Sequence, residues 1–216
     1  TIESNLNCRR LGSRKDKYLD GVFRVKEYKI IKSKTVVDNL DGIVSEIEEL
    51  EPIIRLQAAI PDWETTTWTY DRYNIFLVAK EHGKPLLNFL YEELKEVILE
   101  YTEGKTCWLQ SWLNYDTHKT VEQNLREHQH AWPVQGYISI NPKETKTIFT
   151  KKYDYEVINE IGNIYIGPGY RFHKVVNTDA YQGTRITIGW DITYKDPRET
   201  PESYSGNYGS RFIQIN

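Results

Sequence analysis

The pattern of apolar and polar positions divides the chain into a first part with helical periodicity and a second part with strand alternation. The clearest helix is predicted over residues 85–102, "PLLNFLYEELKEVILEYT", where apolar side chains recur every three or four residues. Pro85 suits the first turn of a helix, and Gly104 suits the position just after its end. A single apolar stripe of this kind predicts that the helix packs against the outside of a sheet.

Three more elements are predicted ahead of this helix. Residues 22–31, "VFRVKEYKII", and residues 73–80, "YNIFLVAK", have the composition of strands. Residues 38–52, "DNLDGIVSEIEELEP", indicate a short helix, because apolar residues at helical spacing lie between an Asn/Asp start and Pro52 as a stop. The first half of the chain is therefore expected to mix helices with strands.

After Gly104 the apolar residues occur in short segments separated by glycine, proline, asparagine and aspartate. Short strands at such close spacing predict an antiparallel sandwich or barrel of the jelly-roll kind. The predicted strands are 106–115, 134–141, 146–153, 163–176 and 184–194. The fold class that follows is mainly β with flanking helices.

The chain of 216 residues is long enough for one domain with a buried core. We expect this domain to consist of an N-terminal extension (1–105) that packs on the core, a β core (106–194) and a C-terminal tail (195–216). The end of the tail, "YSGNYGSRFIQIN" (204–216), is expected to add an edge strand or to wrap the surface.

Composition and charge argue against several classes of function. No apolar run approaches the roughly 18 residues of a membrane span. The net charge of −3 argues against a strongly basic nucleic-acid binder. Residues 1–35 do hold ten lysines and arginines and four acidic residues, which we interpret as a solvated terminus, with contact to an anionic partner as the alternative. Cys8 and Cys107 form no CxxC pair and no signal peptide is visible, so a reducing, cytoplasmic setting is expected.

The octapeptide "REHQHAWP" (126–133) carries the first candidate chemistry. His128 and His130 are two residues apart, so a strand would point both imidazoles to one side and Glu127 to the other. Imidazole is the commonest side-chain ligand for transition metals. The pair alone does not separate a metal site from two surface histidines.

His173 and Arg185 strengthen the metal interpretation. His173 follows a glycine-proline turn, and an antiparallel barrel can bring it beside the HxH segment as a third ligand that leaves open positions on the metal. Arg185 shares a strand face with Thr187 in "TRITIGWDI". An arginine inside a barrel needs an anionic partner, which a small dicarboxylate provides through two-pronged hydrogen bonds. Exposure of Arg185 to solvent, or pairing with an acid of the protein, is the alternative.

This order of motifs resembles the 2-oxoglutarate- and Fe(II)-dependent oxygenases. "SWLNYDTHKTVEQNLREHQHAWPVQGYISINP" (111–142) is similar to members of this superfamily from bacteria and phages, in which an HxH precedes a glycine-tyrosine strand. "GNIYIGPGYRFHKVVN" (162–177) resembles the turn and strand that present the distal iron-binding histidine. "RITIGWDI" (185–192) resembles the strand whose arginine binds 2-oxoglutarate. The resemblance covers residues 106–194 and implies a double-stranded β-helix, which is a jelly roll.

The resemblance also implies an activity and a set of site residues. The chain would be a hydroxylase that converts 2-oxoglutarate, O₂ and an unidentified prime substrate into succinate, CO₂ and a hydroxylated product. Fe(II) would be bound by His128, His130 and His173. The cosubstrate would be bound by Arg185 and Thr187, with Tyr137 reaching it through its hydroxyl group. Residues outside the core would select the prime substrate, and they contain no motif that identifies it.

One position departs from the pattern of the family. Most members have Asp or Glu at the second ligand position, where this chain has His130. Three neutral imidazoles leave Fe(II) with its full charge, which a carboxylate would partly offset. Dioxygenases of the cupin type show that three histidines can hold iron. One alternative is that His130 contacts a metal ligand without binding the metal itself. Another is that the protein binds metal without full oxygenase activity. The replacement acids to consider are Asp116, Asp154 and Asp191, none of which has a spacing that recommends it.

Two other functions stay open at this level. A cupin-like metalloenzyme with three histidines would need no inward arginine, and a non-catalytic jelly-roll module for binding or structure would not need the histidines to converge. Further expectations concern Trp112 and Asn114 at the pocket mouth or in sheet packing, Trp132 and Tyr170 in an apolar cover, Trp190 in the core, and His82 and His118 on the surface.

Overall fold

The computed structural model describes residues 27–67, 71–117, 126–151, 154–178, 183–199 and 211–216. Within these ranges the chain forms four helices and nine strands. The helices are α1 (Lys34–Asp38), α2 (Leu40–Gln57), α3 (Ile75–Glu81) and α4 (Pro85–Thr102). The strands are β1 (Lys29–Lys32), β2 (Cys107–Asp116), β3 (Val134–Asn141), β4 (Thr145–Phe149), β5 (Tyr155–Ile158), β6 (Asn163–Pro168), β7 (His173–Asn177), β8 (Arg185–Thr193) and β9 (Ile213–Ile215). None of the helices in these ranges has both the length and the apolar character that crossing a membrane requires.

The strands form two antiparallel sheets. The larger sheet has the order β1-β6-β3-β8-β2-β9, and the smaller sheet has the order β5-β4-β7. An antiparallel bridge between His128 and His173 continues the smaller sheet beyond β7. The expected fold class, mainly β with flanking helices, is therefore confirmed.

Strand β8 lies between β2 and β3 and separates the apolar core from a cavity that has both polar and apolar walls. All nine of its residues are buried, and successive side chains point to opposite faces of the sheet. One face carries the members of the main hydrophobic core: Ile186, Ile188, Trp190 and Ile192. The other face lines the cavity with Arg185, Thr187, Gly189 and Asp191. The prediction that Trp190 is a core residue is confirmed.

The four helices contribute to the same apolar core as the larger sheet. The predicted helix over 85–102 is α4, and on its apolar face Leu87, Leu90 and Leu94 are fully buried. Each buried leucine of this kind contributes about 1.5–3 kcal/mol relative to an exposed one. The helix ends where Glu103 and Gly104 adopt left-handed backbone angles, with φ of 58° and 70°.

Two predictions about the first half of the chain are wrong. Residues 73–80 do not form a strand, because Ile75–Glu81 is the helix α3, whose first turn is capped by the Asn74 side chain accepting a hydrogen bond from the Phe76 amide at 3.1 Å. A short apolar run has no periodicity that separates a buried helix from a strand. Pro52 does not end α2, which continues to Gln57 because Ile54 remains in the core. Burial of this kind offsets the backbone hydrogen bond that proline removes.

The strand predictions agree with the structure in the second half of the chain, with differences at the boundaries. Residues 134–141 form β3, whereas the predicted strand 163–176 divides into β6 and β7 around a turn. No predicted strand corresponds to β5. The predicted strand 22–31 retains only β1, and its residues 22–26 lie outside the described ranges. The division into extension, core and tail stays a prediction; β1 and β9, from its two outer parts, both belong to the larger sheet.

Candidate metal centre

Three histidines converge at one end of the cavity. The backbone of His128 exchanges two hydrogen bonds with that of His173, at 3.0 and 2.8 Å, and the His130 amide donates to the Gly169 carbonyl at 3.0 Å. The HxH segment is thereby held against β7 and the turn before it. One potential ligand atom from each imidazole lies within 4.8 Å of the other two. The structure thus brings together all three histidines that the sequence singled out.

The imidazoles are oriented by hydrogen bonds to their Nδ1 atoms. His128 Nδ1 lies 2.8 Å from the Arg126 carbonyl, and His173 Nδ1 lies 3.1 Å from the Arg171 carbonyl. His130 Nδ1 lies 2.7 Å from Asp191 Oδ1. When Nδ1 donates to an oxygen, the unprotonated Nε2 is left to bind a metal. The three rings therefore present the tautomer that a metal site needs.

Burial keeps two of the three imidazoles in the neutral form that binds metals. Desolvation lowers the pKa of His173 well below its ordinary value, and the neighbouring His130 and His128 lower it further. Desolvation also lowers the pKa of His128, against a raising effect of the Arg126 carbonyl. These two side chains therefore resist protonation near neutral pH.

An indole ring packs on the site from the larger sheet. Trp112 on β2 stacks on the His130 ring with centroids 5.7 Å apart and an interplanar angle of 22°. Gly189, opposite Trp112 on β8, leaves space for the indole, because a Cβ at residue 189 would lie 2.6 Å from it. Trp112 and Asn114 both line the cavity, which was one of the two placements expected for them.

The cavity lies between the two sheets and has a volume of about 290 Å³. Its walls include the polar face of β8, Tyr137 from the larger sheet, and Thr147 and Phe149 from the smaller one. The volume is near the lower end of the range for small-molecule sites. A metal ion and a small dicarboxylate are ligands of suitable size for this space.

Arg185 occupies the opposite end of β8 from Asp191. Its Nη1 donates to Asp116 Oδ2 at 2.8 Å, and the two side chains are 5% and 1% exposed. Pairing with an acid of the protein, the alternative weighed for Arg185, is therefore present in the structure. Burial raises the pKa of the Asp116 carboxyl to about 6, although Arg185 acts in the opposite direction. The pair is single-pronged, because Arg185 Nε and Asp116 Oδ1 have no hydrogen-bond partner among the described residues.

Other polar groups surround the arginine. Thr187 accepts a hydrogen bond from the Asn114 amide at 2.9 Å, which leaves its own hydroxyl hydrogen free to donate. The Tyr137 hydroxyl and Ser139 Oγ are buried without a hydrogen bond of ordinary geometry among the described residues, although Thr147 lies beside Tyr137. Burial raises the pKa of Tyr137 above its ordinary value. These groups form a set of donors facing inward near Arg185.

The partners of His130 and Arg185 are Asp191 and Asp116, which the sequence suggested only as replacement metal ligands. Asp191 shares a strand face with Thr187, and this even spacing is the signal that could have placed it beside the site. Asp154 is exposed. Trp132 lines the cavity, whereas Tyr170 is 45% exposed; His82 is exposed as expected, and His118 lies outside the described residues.

No protein-family model and no curated protein match the chain. Among solved structures, it is similar to SnoN, a non-heme alpha ketoglutarate dependent epimerase from nogalamycin biosynthesis, with a TM-score of 0.53 and 10% identity, covering 88% of this chain and 93% of SnoN. It is also similar to AviO1 from Streptomyces viridochromogenes Tue57, with a TM-score of 0.53 and 14% identity, covering 83% of this chain and 94% of AviO1. At these identities the similarity is one of fold.

The fold is thus that of the 2-oxoglutarate- and Fe(II)-dependent oxygenases, a double-stranded β-helix, as the resemblance in the sequence implied (alpha ketoglutarate is 2-oxoglutarate). The chain combines this fold with an HxH…H triad that can hold a metal ion. The individual roles expected for the site residues stay predictions.

Proposed function

We propose that the chain is an oxygenase that uses Fe(II) and 2-oxoglutarate to hydroxylate a prime substrate, with formation of succinate and CO₂. The observation that carries the proposal is a cavity with three converging imidazoles at one end and a buried arginine toward the other. SnoN, which shares the fold, is alpha ketoglutarate dependent. The hydroxylation itself and the identity of the prime substrate belong to the proposal.

The donor set fits a non-haem iron ion. Three imidazole nitrogens suit Fe(II), and three protein ligands on one side of an ion leave the other positions open. The ligands would be His128, His130 and His173. Bound Fe(II) would supply the redox chemistry by which O₂ oxidises 2-oxoglutarate to succinate and CO₂ and the prime substrate to its hydroxylated product.

The donors around Arg185 fit the far carboxylate of 2-oxoglutarate. Buried donors without partners cost free energy, and an anion that accepts hydrogen bonds from them removes that cost. Arg185 Nε and the Tyr137 hydroxyl make no hydrogen bond of ordinary geometry among the described residues, and the Thr187 hydroxyl has a hydrogen to donate. These side chains would orient the cosubstrate so that its keto-acid end faces the histidines.

The remaining side chains of the cavity would shield and orient the reacting groups. Trp112 covers one side of the His130 ring, and Trp132 lines the cavity next to the HxH segment. These indoles would exclude water from the reaction. The hydrogen bonds at the three Nδ1 atoms would hold the imidazoles in place while substrates enter and leave.

Direct binding of the cosubstrate tests the proposal. Calorimetry with protein loaded with Zn(II), which is redox-inert, is expected to give one 2-oxoglutarate site per chain. Protein loaded with Fe(II) is expected to form succinate slowly in the absence of any prime substrate. If 2-oxoglutarate does not bind the metal-loaded protein, the proposed function is wrong.

Arg185→Ala is expected to weaken 2-oxoglutarate binding by about 10- to 100-fold, the usual effect of losing a charge-assisted hydrogen bond. Arg185→Lys keeps the charge without the two-pronged geometry and is expected to be intermediate. Arg198→Ala is the matched control, because Arg198 pairs with Asp196 on the surface. Equal affinity for Arg185→Ala and the control would contradict the role of Arg185.

One observation favours a second function. Arg185 already has an anionic partner in Asp116, so the charge of its guanidinium group is balanced without a dicarboxylate. A three-histidine metalloenzyme of the cupin type, without 2-oxoglutarate, fits that pairing. Metal binding together with absence of 2-oxoglutarate binding in the calorimetric experiment would support this second function.

A further inference from the structure

Asp191 is an acidic residue in direct contact with the cluster of three histidines. It lies on the cavity face of β8, and its Oδ1 is 2.7 Å from His130 Nδ1, with side-chain exposures of 11% for His130 and 5% for Asp191. The Nδ1 atoms of His128 and His173 instead bond to neutral backbone carbonyls. One imidazole of the cluster therefore has a carboxylate behind it.

The carboxylate is not placed as a ligand. The converging atoms belong to His128, His130 and His173, and Asp191 bonds to the Nδ1 side of the His130 ring. In an imidazole, Nε2 lies across the ring from Nδ1, so Asp191 and a metal bound at Nε2 would be on opposite sides. The direct contact between Asp191 and the histidine cluster is thus made through the ring of His130, while its charge also acts through space on His128.

The position of Asp191 is fixed by the sheet. On its two neighbours in the larger sheet, the paired residues are Gln110 on β2 and Gln135 on β3. Trp112 stacks on the His130 ring and limits its rotation. A carboxylate as deeply buried as that of Asp191 is costly unless it has a partner, and His130 supplies one. The sheet and the Trp112 ring thus hold the Asp191 carboxylate and the His130 imidazole in contact with each other.

We propose that Asp191 supplies, through His130, the negative charge that an acidic ligand supplies in most enzymes of this fold. A carboxylate that accepts the Nδ1 hydrogen increases the electron density at Nε2 and strengthens the bond to a metal. Asp191 would therefore position the His130 ring and supply negative charge behind it. This arrangement would explain how His130 can replace the acidic ligand that most members of the family have at this position. The inference rests on the proposed function in taking the three histidines as metal ligands.

Metal titration of the protein without bound metal tests the proposal. Binding of Co(II), followed by calorimetry and by its visible absorption, reports the ligand field without any catalytic turnover. Asp191→Ala is expected to weaken Co(II) binding by about 10- to 100-fold, the usual effect of removing such a partner. Asp191→Asn, which keeps the shape and removes the charge, is expected to weaken binding and to shift the absorption bands. Asp196→Asn is the control, because the Asp196 carboxylate pairs with Arg198 at the surface.

A double-mutant cycle with His130→Asp separates action through His130 from a general charge effect. In the His130→Asp protein the acid is at the ligand position and Asp191 no longer has an imidazole to act through. Asp191→Asn is then expected to leave Co(II) affinity unchanged or to raise it, because two carboxylates would otherwise repel each other. Thermal unfolding of each metal-free variant shows which of them are folded; if His130→Asp does not fold, the single variants at Asp191 decide the question.

Each outcome has one meaning. Wild-type affinity and an unchanged spectrum in both Asp191 variants would overturn the inference while leaving the proposed metal site intact. An equal loss in the wild-type and His130→Asp backgrounds would also overturn it, because the effect would not pass through His130. Failure of the wild-type protein to bind Co(II) would overturn the proposed metal site together with the inference.

Discussion

At the residue scale, the histidines and the arginine of the candidate site are oriented by hydrogen bonds to neighbouring groups. Three Nδ1 hydrogen bonds select the tautomer of the histidines, and Asp116 holds Arg185 at the far end of β8. The Arg185–Asp116 pair is buried, so each partner leaves an uncompensated charge if the other is removed. That property makes the pair a sensitive probe of what the cavity binds.

Asp116→Asn is expected to destabilise the protein by about 3–5 kcal/mol, because Arg185 is left as a buried, unpaired charge. The same change is expected to tighten 2-oxoglutarate binding, because Arg185 no longer shares its charge with Asp116. Denaturant unfolding and calorimetry of the Zn(II)-loaded protein measure the two effects. Asp154→Asn, at an exposed carboxylate, is the matched control. Weaker binding by Asp116→Asn would mean that Asp116 assists the cosubstrate instead of competing with it.

At the element scale, β8 organises both the core and the cavity. Its period of two places isoleucines and Trp190 on one face and the polar residues on the other. Gly189 interrupts the polar face at the point where Trp112 crosses from β2. The absence of a side chain there allows the indole to reach the ring of His130.

Gly189→Ala is expected to cost about 1–3 kcal/mol, because the new Cβ overlaps the Trp112 indole. Displacement of the indole should change the tryptophan fluorescence and weaken metal binding through His130. Trp112→Phe replaces the indole by a smaller ring. The double variant Gly189→Ala/Trp112→Phe is therefore expected to recover part of the stability that Gly189→Ala loses. An alanine at 189 that leaves both fluorescence and stability unchanged would contradict this account of the packing.

At the scale of the whole molecule, the helices and the larger sheet form one apolar core, and the cavity lies on the other side of that sheet. Desolvation in the cavity favours the neutral forms of His128 and His173, which links the stability of the metal-free protein to pH. A group whose pKa is lowered by folding stabilises the fold above its ordinary pKa, and this contribution is lost as the pH falls. His128 and His173 are both of this kind, with an ordinary pKa of 6.5.

The metal-free protein is therefore expected to lose stability as the pH falls below about 6.5. Asp116 acts in the opposite direction between its ordinary pKa of 3.8 and its raised value of about 6, because the folded state holds the proton more tightly. Comparison with a His128→Gln/His173→Gln variant cancels the contribution of Asp116. Urea unfolding of both proteins between about pH 4 and 7 measures this comparison. The loss of stability that protonation of the two histidines causes in the wild-type protein should be absent from the double variant. An equal loss of stability in both proteins would contradict the attribution of this pH dependence to His128 and His173.

Much of the fold follows from local patterns in the sequence. The helix over 85–102 has enough turns for its 3.6-residue period to be unmistakable, and 134–141 has the composition and flanking turns of a strand. The segment 73–80 is too short for either period to dominate, and there the Asn74 cap and burial determine a helix. Pro52 shows the same principle, since packing around Ile54 outweighs a local stop signal.

By itself the sequence identified the candidate residues for metal and anion binding, because spacing along a strand decides which side chains share a face. His128 with His130, and Arg185 with Thr187, are pairs of this kind. Only the tertiary structure decided what each of them contacts, because such partners come from distant parts of the chain. His130 meets Asp191 and Arg185 meets Asp116 across 61 and 69 positions of sequence. Those long-range contacts arise from the pairing of strands and the closure of two sheets around one cavity, which no local pattern encodes.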